Sequence, residues 1–266
     1  MTDGLIHAIV EKRDLEMHFM PIVRFWAEEG TSRWSPFALE ALIRGPRNSL
    51  LRRPDELFAA ASRAGIQTRL ELICLEAAFE LLPELPSSVL LFLNVGVPTF
   101  VDREFEAFIE RWEGRIDPSR IIFEIVEGPV LSIPKLRRQL ERGMARGFRF
   151  ALDDLSTDLD AIKRMVEAGP VAFMKIDRSF NARWMGHRTE MKRWLRFVSS
   201  LARSVDAELV VEGIEPNLLD ALPELSSLGV QLAQGFLFGE PSVLEPGFQR
   251  WRKGVWKESG TDRSGD

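Results

Sequence analysis

The chain has 266 residues, 45% of them hydrophobic, with a formal net charge of −5 and a pI near 5.5. That is apolar material for one large core or two small ones, and the acidic balance excludes bulk binding of a nucleic-acid polymer, which needs a basic face. A single cysteine, Cys74, excludes an internal disulfide and points to a reducing, cytoplasmic setting. No segment approaches the roughly 18 apolar residues of a membrane helix, so no membrane partner is expected, and the opening MTDGLIHAIVEKRD has neither the basic start nor the apolar core of a signal peptide.

Taken in chain order, residues 1–14 read as a lead helix, 15–250 as one barrel domain and 251–266 as a polar tail without fixed structure. Apolar runs of strand length are MHFMPIV, FALEALI, VLLFLNV, IIFEIV, FRFALDD, VAFMKID, ELVVEGI and VQLAQGF. Between them lie stretches of helical period: PDELFAAASRAG, RLELICLEAAFELL, PTFVDREFEAFIERW, LSIPKLRRQLERGMARG and MKRWLRFVSSLARSV. Cys74 falls inside the second of these and reads as a small buried hydrophobe. Strands alternating with helices imply an α/β chain with a mostly parallel sheet, and eight strands in this length fit a closed TIM-like (β/α)8 barrel. The first two strands have only AEEGTSRWSP between them, too short for a crossover helix, so they are expected to be antiparallel. An open doubly wound sheet is the runner-up, but it would bring a Gly-rich phosphate loop, and none is present.

In such a barrel function gathers at the C-terminal ends of the strands, and polar residues fall there: Glu40, Asn94, Glu124 with Glu127 beyond it, Asp153 and Asp154, Lys175 and Asp177, Glu212 and Glu215, and Gln234. Seven of the eight strands carry one. Burying so many carboxylates without cations is costly, and oxygen donors of this kind suit Mg²⁺, Mn²⁺ or Ca²⁺. Zinc is disfavoured, because the only histidines are His7, His18 and His187 and none is read at a barrel strand end. Paired carboxylates such as Asp153 and Asp154 suit two ions and phosphate chemistry, with Lys175 balancing charge.

The ordered blocks EALIR, the Asn of LNV, FEIVE, ALDD, MKIDRSF, VVEGIE and AQGFLFGEP resemble the EAL domain, a family that hydrolyses cyclic di-GMP, over about residues 16–245. The resemblance implies a TIM-like barrel with one antiparallel strand, a homodimer, and metal-dependent opening of cyclic di-GMP to linear pGpG with Mg²⁺ or Mn²⁺, two ions in all. It further implies Glu40, Asn94, Glu124, Asp153 and Asp154 as metal ligands, and Lys175 and Glu212 as the residues that position or activate the attacking water. Arg44 resembles the family's phosphate-contacting arginine; Leu42, Asp177, Glu215 and Gln234 are the other substrate-side positions, and Glu127 the anchor of a loop after the Asp pair. That loop departs from the pattern: the family usually reads like FGTGYSSL, whereas this chain has LSTDLDAI, with both glycines gone and Asp158 and Asp160 new. The alternative reading is therefore a weak or inactive EAL domain acting as a cyclic di-GMP receptor or a protein-interaction module. Gly45, where an aromatic is common, and Ser62, where a glutamate is usual, also depart. Asp177 and Glu215 have bland readings as helix starts. Arg47, Arg52 and Arg53 read as a solvated loop, and Trp184 and Trp194 as partly buried core.

Overall fold

The computed structural model describes residues 2–28, 31–126, 133–155, 169 and 171–244. Eight strands close a barrel in chain order: β1 (Glu16–Glu28), β2 (Thr31–Arg44), β3 (Leu90–Gly96), β4 (Ile121–Val126), β5 (Arg149–Leu155), β6 (Phe173–Ile176), β7 (Glu208–Val211) and β8 (Leu232–Gln234). From β2 to β8 the neighbours are parallel, while β1 is antiparallel to both β2 and β8. The short first link thus does what its length requires. It is mostly strand itself, however: β1 runs on to Glu28 and β2 begins at Thr31, with Phe25 opposite Trp34 and Trp26 opposite Arg33. The Arg33–Glu28 ion pair at 2.7 Å and the edge of Trp34 against Phe238 at 5.5 Å hold polar-looking residues in the ladder.

Pro36 is tolerated inside β2 because the β1–β2 register slips there, Ile22 facing Ala38 and Val23 facing Pro36. The residue the bulge leaves unpaired is Phe37, and Pro36 sits beside it, facing Val23, where the ladder is already interrupted.

Among the described residues the helices are α1 (Thr2–Lys12), α2 (Pro54–Arg63), α3 (Gln67–Leu81), α4 (Val97–Phe100), α5 (Arg103–Trp112), α6 (Ile133–Ala145), α7 (Phe180–Gly186), α8 (Arg188–Ser204) and α9 (Leu222–Ser227). Pro54 starts α2, with Asp55 and Glu56 in its first turn and Arg63 in its last, a charge order that complements the helix dipole. The stretch PTFVDREFEAFIERW is two helices rather than one. Asp102 interrupts it, because its side chain accepts the Glu104 N–H at 2.8 Å and starts a new helix.

Along β2 the side chains alternate. Leu39, Ala41 and Ile43 pack outward into the helix layer, and Ala38 packs inward, as a period of two demands. Each strand gives one residue to the apolar plug of the barrel: Ile22, Ala38, Phe92, Ile122, Ala151, Phe173, Val210 and Leu232. Phe92 and Phe173 fill its centre, their rings 5.1 Å apart. Below them Phe37 lies against Phe173. The Arg24 guanidinium covers the Phe37 ring at 4.8 Å while bound to Gln231 and Glu208, and Arg149 lies over Phe173 at 5.9 Å. This end of the barrel is closed.

Replacing Phe92 with alanine would empty the middle of the plug. The expected cost is about 3–5 kcal/mol, read as a lowered midpoint in urea unfolding with an unchanged slope.

Candidate functional site

The site follows from the plug by one step of the pleat. Two residues beyond each plug residue, toward the open end, stand Glu40 after Ala38, Asn94 after Phe92, Glu124 after Ile122, Asp153 after Ala151, Lys175 after Phe173, Glu212 after Val210 and Gln234 after Leu232. In β1, which runs the other way, the matching residue is Met20, paired with Glu40. One turn of alternation therefore changes an apolar interior into a polar one, and the same side of every strand supplies both.

Lys175 lies at the centre and is almost fully buried. Its Nζ is 2.6 Å from Glu212 Oε1, 2.8 and 2.9 Å from the two Glu124 oxygens, 3.5 Å from Asp153 Oδ1 and 3.6 Å from Glu40 Oε1. Glu40 accepts twice more: from Asn94 Nδ2 at 2.9 Å and from Gln234 Nε2 at 2.5 Å. Asn94 and Glu124 are side by side in register on β3 and β4. Glu212 is one residue past β7, and its N–H bonds to the Ile176 carbonyl at 3.0 Å, which carries the pairing one step further and keeps its side chain in line with Lys175.

A lysine ammonium has three N–H donors, and four carboxylates surround this one. The shortage shows in the acceptors. Glu124 Oε1, Asp153 Oδ1 and Gln234 Oε1 are buried without a hydrogen bond; the first touches Nζ as an ion pair only. Orphaned buried oxygens and surplus negative charge fit a hard divalent cation. Among the described residues no three acidic, histidine or cysteine side chains already form a ligand shell; these carboxylates gather around the ammonium instead. Asp154 follows Asp153 as the next-to-last residue of β5, but its side chain, like Glu127, Asp158 and Asp160, lies outside the described residues.

The electrostatics divide the carboxylates. Burial pushes Glu124 well above the ordinary range, Glu40 and Asp153 reinforce this, and Lys175 opposes it. At Glu40 burial also works upward, but the charge of Lys175 and the hydrogen bonds from Gln234 and Asn94 outweigh it, so Glu40 titrates low and holds the negative charge. Burial works against the charge of Lys175, yet Glu124, Glu40, Glu212 and Asp153 together hold its pKa well above the usual value. Glu212 is raised to about 7, chiefly by burial, with Asp153 and Glu40 adding and Lys175 opposing.

The remaining expected residues occupy the rim. Leu42 and Arg44 continue the inward row of β2 beyond Glu40 and are half-buried. Arg44 donates to the Ile43 carbonyl and feels the charge of Glu40, while the cation in ion-pair contact with Glu40 is Lys175. Asp177 follows β6, and its carboxylate accepts the Ser179 N–H at 2.9 Å in the turn before α7. Glu215 opens a short 3-10 turn over Pro216–Ala221. No described contact joins either residue to the Lys175 cluster. Trp184 is buried against Phe180 and Trp194 is partly buried, as core side chains. Cys74 is packed beside α1 and α2, where burial raises its thiol.

His18 corrects an expectation. Because β1 is antiparallel, its N-terminal end shares the open face, and His18 stands opposite Leu42. It joins a rim cluster missed in the sequence. Glu16 bonds Arg52 at 2.5 Å and Arg47 at 2.7 Å, and His18 contacts Glu16, Arg52 and the Pro241 carbonyl, each at 3.3 Å. The bonds from Arg47, then Arg52 and His18, lower Glu16 to about 2. Arg47 and Arg52 are thus tied down, and Arg53 pairs with Asp55. Gly45 is explained by the same loop: a Cβ there would lie 2.0 Å from the Leu51 carbonyl oxygen. The directional hint was the expected antiparallel link, which already puts the start of β1 on the functional face.

The profile of the EAL domain family matches residues 4–241, and the chain belongs to that family. Among its relatives are the cyclic di-GMP phosphodiesterase RocR of Pseudomonas aeruginosa, 32% identical over 130 residues, which are 48% of this chain and 32% of RocR. A second is the cyclic di-GMP phosphodiesterase PdeL of Escherichia coli K12, 26% identical over 253 residues, 91% of this chain and 66% of PdeL. The chain thus spans about a third of the first relative's length. The fold is also that of the EAL enzyme Bd1971 in its cAMP- and cyclic-di-GMP-bound form, with a TM-score of 0.77 at 20% identity over 95% of this chain and 68% of that one.

The raised Glu212 has a definite sign in stability. Between pH 4.5 and about 7 the unfolded chain has released this proton and the folded chain still holds it, so stability falls as pH rises through that window. In chelator, urea midpoints of the wild type should drop from pH 4.5 to 7, and Glu212→Gln should make the decline shallower.

Proposed function

We propose that the chain is a metal-dependent phosphodiesterase that opens cyclic di-GMP to linear pGpG. The observation that carries this reading is the ring of polar side chains one pleat above the plug, with four carboxylates on one ammonium and buried oxygens that accept no hydrogen bond. Glu40, Asn94, Glu124, Asp153 and Asp154 would hold Mg²⁺ or Mn²⁺, two ions in all. The chemistry such ions supply when bound is a lowered pKa for water and neutralised phosphoryl charge.

The chain's own groups do the rest. Arg44 and Leu42 meet the substrate at the rim, Arg44 against a phosphate, with Gln234 lining the floor and Asp177 and Glu215 supporting the mouth. Lys175, kept charged by its neighbours, holds the attacking water and balances charge on the phosphoryl oxygens. Glu212, titrating near 7, is matched to take the water's proton near neutral pH. The water oxygen bonds to phosphorus, the bond from phosphorus to one ribose 3′ oxygen breaks, and that oxygen gains a proton. Glu127 is assigned as the anchor of the loop after Asp154. On the family likeness we also propose a cytoplasmic homodimer, with sedimentation velocity as its check; neither a nucleic-acid polymer nor a membrane is proposed as a partner. Among the described residues no helix is long and apolar enough to cross a membrane.

The altered segment 155–162 favours a second reading, a cyclic di-GMP receptor with little turnover. One experiment separates the two. Incubation with cyclic di-GMP and Mn²⁺ should yield pGpG, and Glu40→Ala should lose both metal binding and turnover. Tight calorimetric binding of cyclic di-GMP without pGpG selects the receptor, and absence of binding removes both. For the enzyme, Glu212→Gln should lower kcat by about 10²–10⁴-fold with cyclic di-GMP still bound.

A further inference from the structure

Glu71 is a buried carboxylate outside the Lys175 cluster. It projects from the first turns of α3 and is only 5% exposed. Its described hydrogen-bond partners are both neutral. Oε2 accepts the Gly96 backbone N–H at 2.9 Å, and Oε1 accepts the Gln67 side-chain amide at 2.8 Å. Beside them the Thr99 hydroxyl meets Thr68 at 3.3 Å, so the start of α3 is bonded twice to the segment where β3 ends and α4 begins. An uncompensated buried carboxylate is expensive, and a backbone N–H bound by a charged acceptor is held more firmly than by a neutral one.

What Glu71 holds is the end of β3. Gly96 is the last residue of that strand, two residues after Asn94, whose Nδ2 donates to Glu40. The glycine is also fitted to the carboxylate. Its φ of −70° and ψ of 143° suit any residue, yet a Cβ there would lie 3.0 Å from Glu71 Oε1. The lack of a side chain at 96 serves the close approach of Glu71, not a special backbone angle.

We infer that Glu71 is a positioning residue: through Gly96 it fixes the end of β3 and so the aim of the Asn94 amide into the candidate metal site. The inference rests on the function proposed above. Groups that orient metal ligands in this way typically account for about 10–100-fold in metal affinity.

The test uses the full chain and Mn²⁺ alone, titrated by calorimetry. Glu71→Met should weaken Mn²⁺ binding by about 10-fold or more, while Glu71→Gln, which keeps an acceptor for the Gly96 N–H, should stay within about twofold of the wild type. Gly96→Ala presses on the carboxylate without altering the backbone angles and should weaken binding in the same direction. Added to Glu71→Met it should have no further effect, because the contact is already gone; it also carries the test if Glu71→Met does not fold. A folded Glu71→Met protein that binds Mn²⁺ like the wild type, whatever its melting temperature, overturns the inference. If the wild type itself binds no Mn²⁺, the metal reading fails separately. The Asn94 side-chain amide resonances then decide: Glu71→Met should shift them and speed Gly96 amide exchange, and unmoved Asn94 resonances overturn the positioning role.

Discussion

One ammonium among four carboxylates is the contact around which this barrel is organised. Lys175 is buried, Glu124 is buried, and neither would be tolerated there without the other. The arrangement demands correct strand register all the way round. A slip of one residue in β6 would turn Lys175 out toward the helices and put Met174 or Ile176 into the polar ring, because successive side chains face opposite sides. The aromatic plug beneath enforces the register from below: Phe92 and Phe173 share β3 and β6 with Asn94 and Lys175, so packing the rings places the polar groups.

The rim depends on the reversed first strand. Glu16 and His18 reach the open face only because β1 runs antiparallel, and there they fasten the 45–53 loop to β1 and to the segment after β8 through Arg47, Arg52 and the Pro241 carbonyl. The loop lies flat enough that the Leu51 carbonyl occupies the space of a side chain at Gly45. An aromatic residue at that position and this loop path exclude one another.

Much of this was legible in the residues. Eight apolar runs separated by helical periods gave the barrel, and the short first link gave the direction of β1. The strand-end carboxylates and Lys175 stood out because charge inside an apolar run has no cheap explanation. What stayed hidden depends on partners without a sequence signature. Glu71 looks like any helix carboxylate, since its partner is a backbone N–H. His18 looked remote because polarity along the chain was read without reversing it for an antiparallel strand. The AEEGTSRWSP link looked like a loop because its strand character comes from cross-strand pairing of Phe25 with Trp34 and Trp26 with Arg33, which overrides local composition.

The closed lower end has a consequence for traffic. Phe37, Phe92 and Phe173 fill the axis, with Arg24 and Arg149 capping the rings. The barrel is a cup rather than a tube. Whatever reaches the ammonium of Lys175 must enter and leave through the same opening, past the rim that carries Arg44 and His18. Arrival and departure are therefore exclusive events: a molecule seated at the floor bars the next one until it has backed out over the rim.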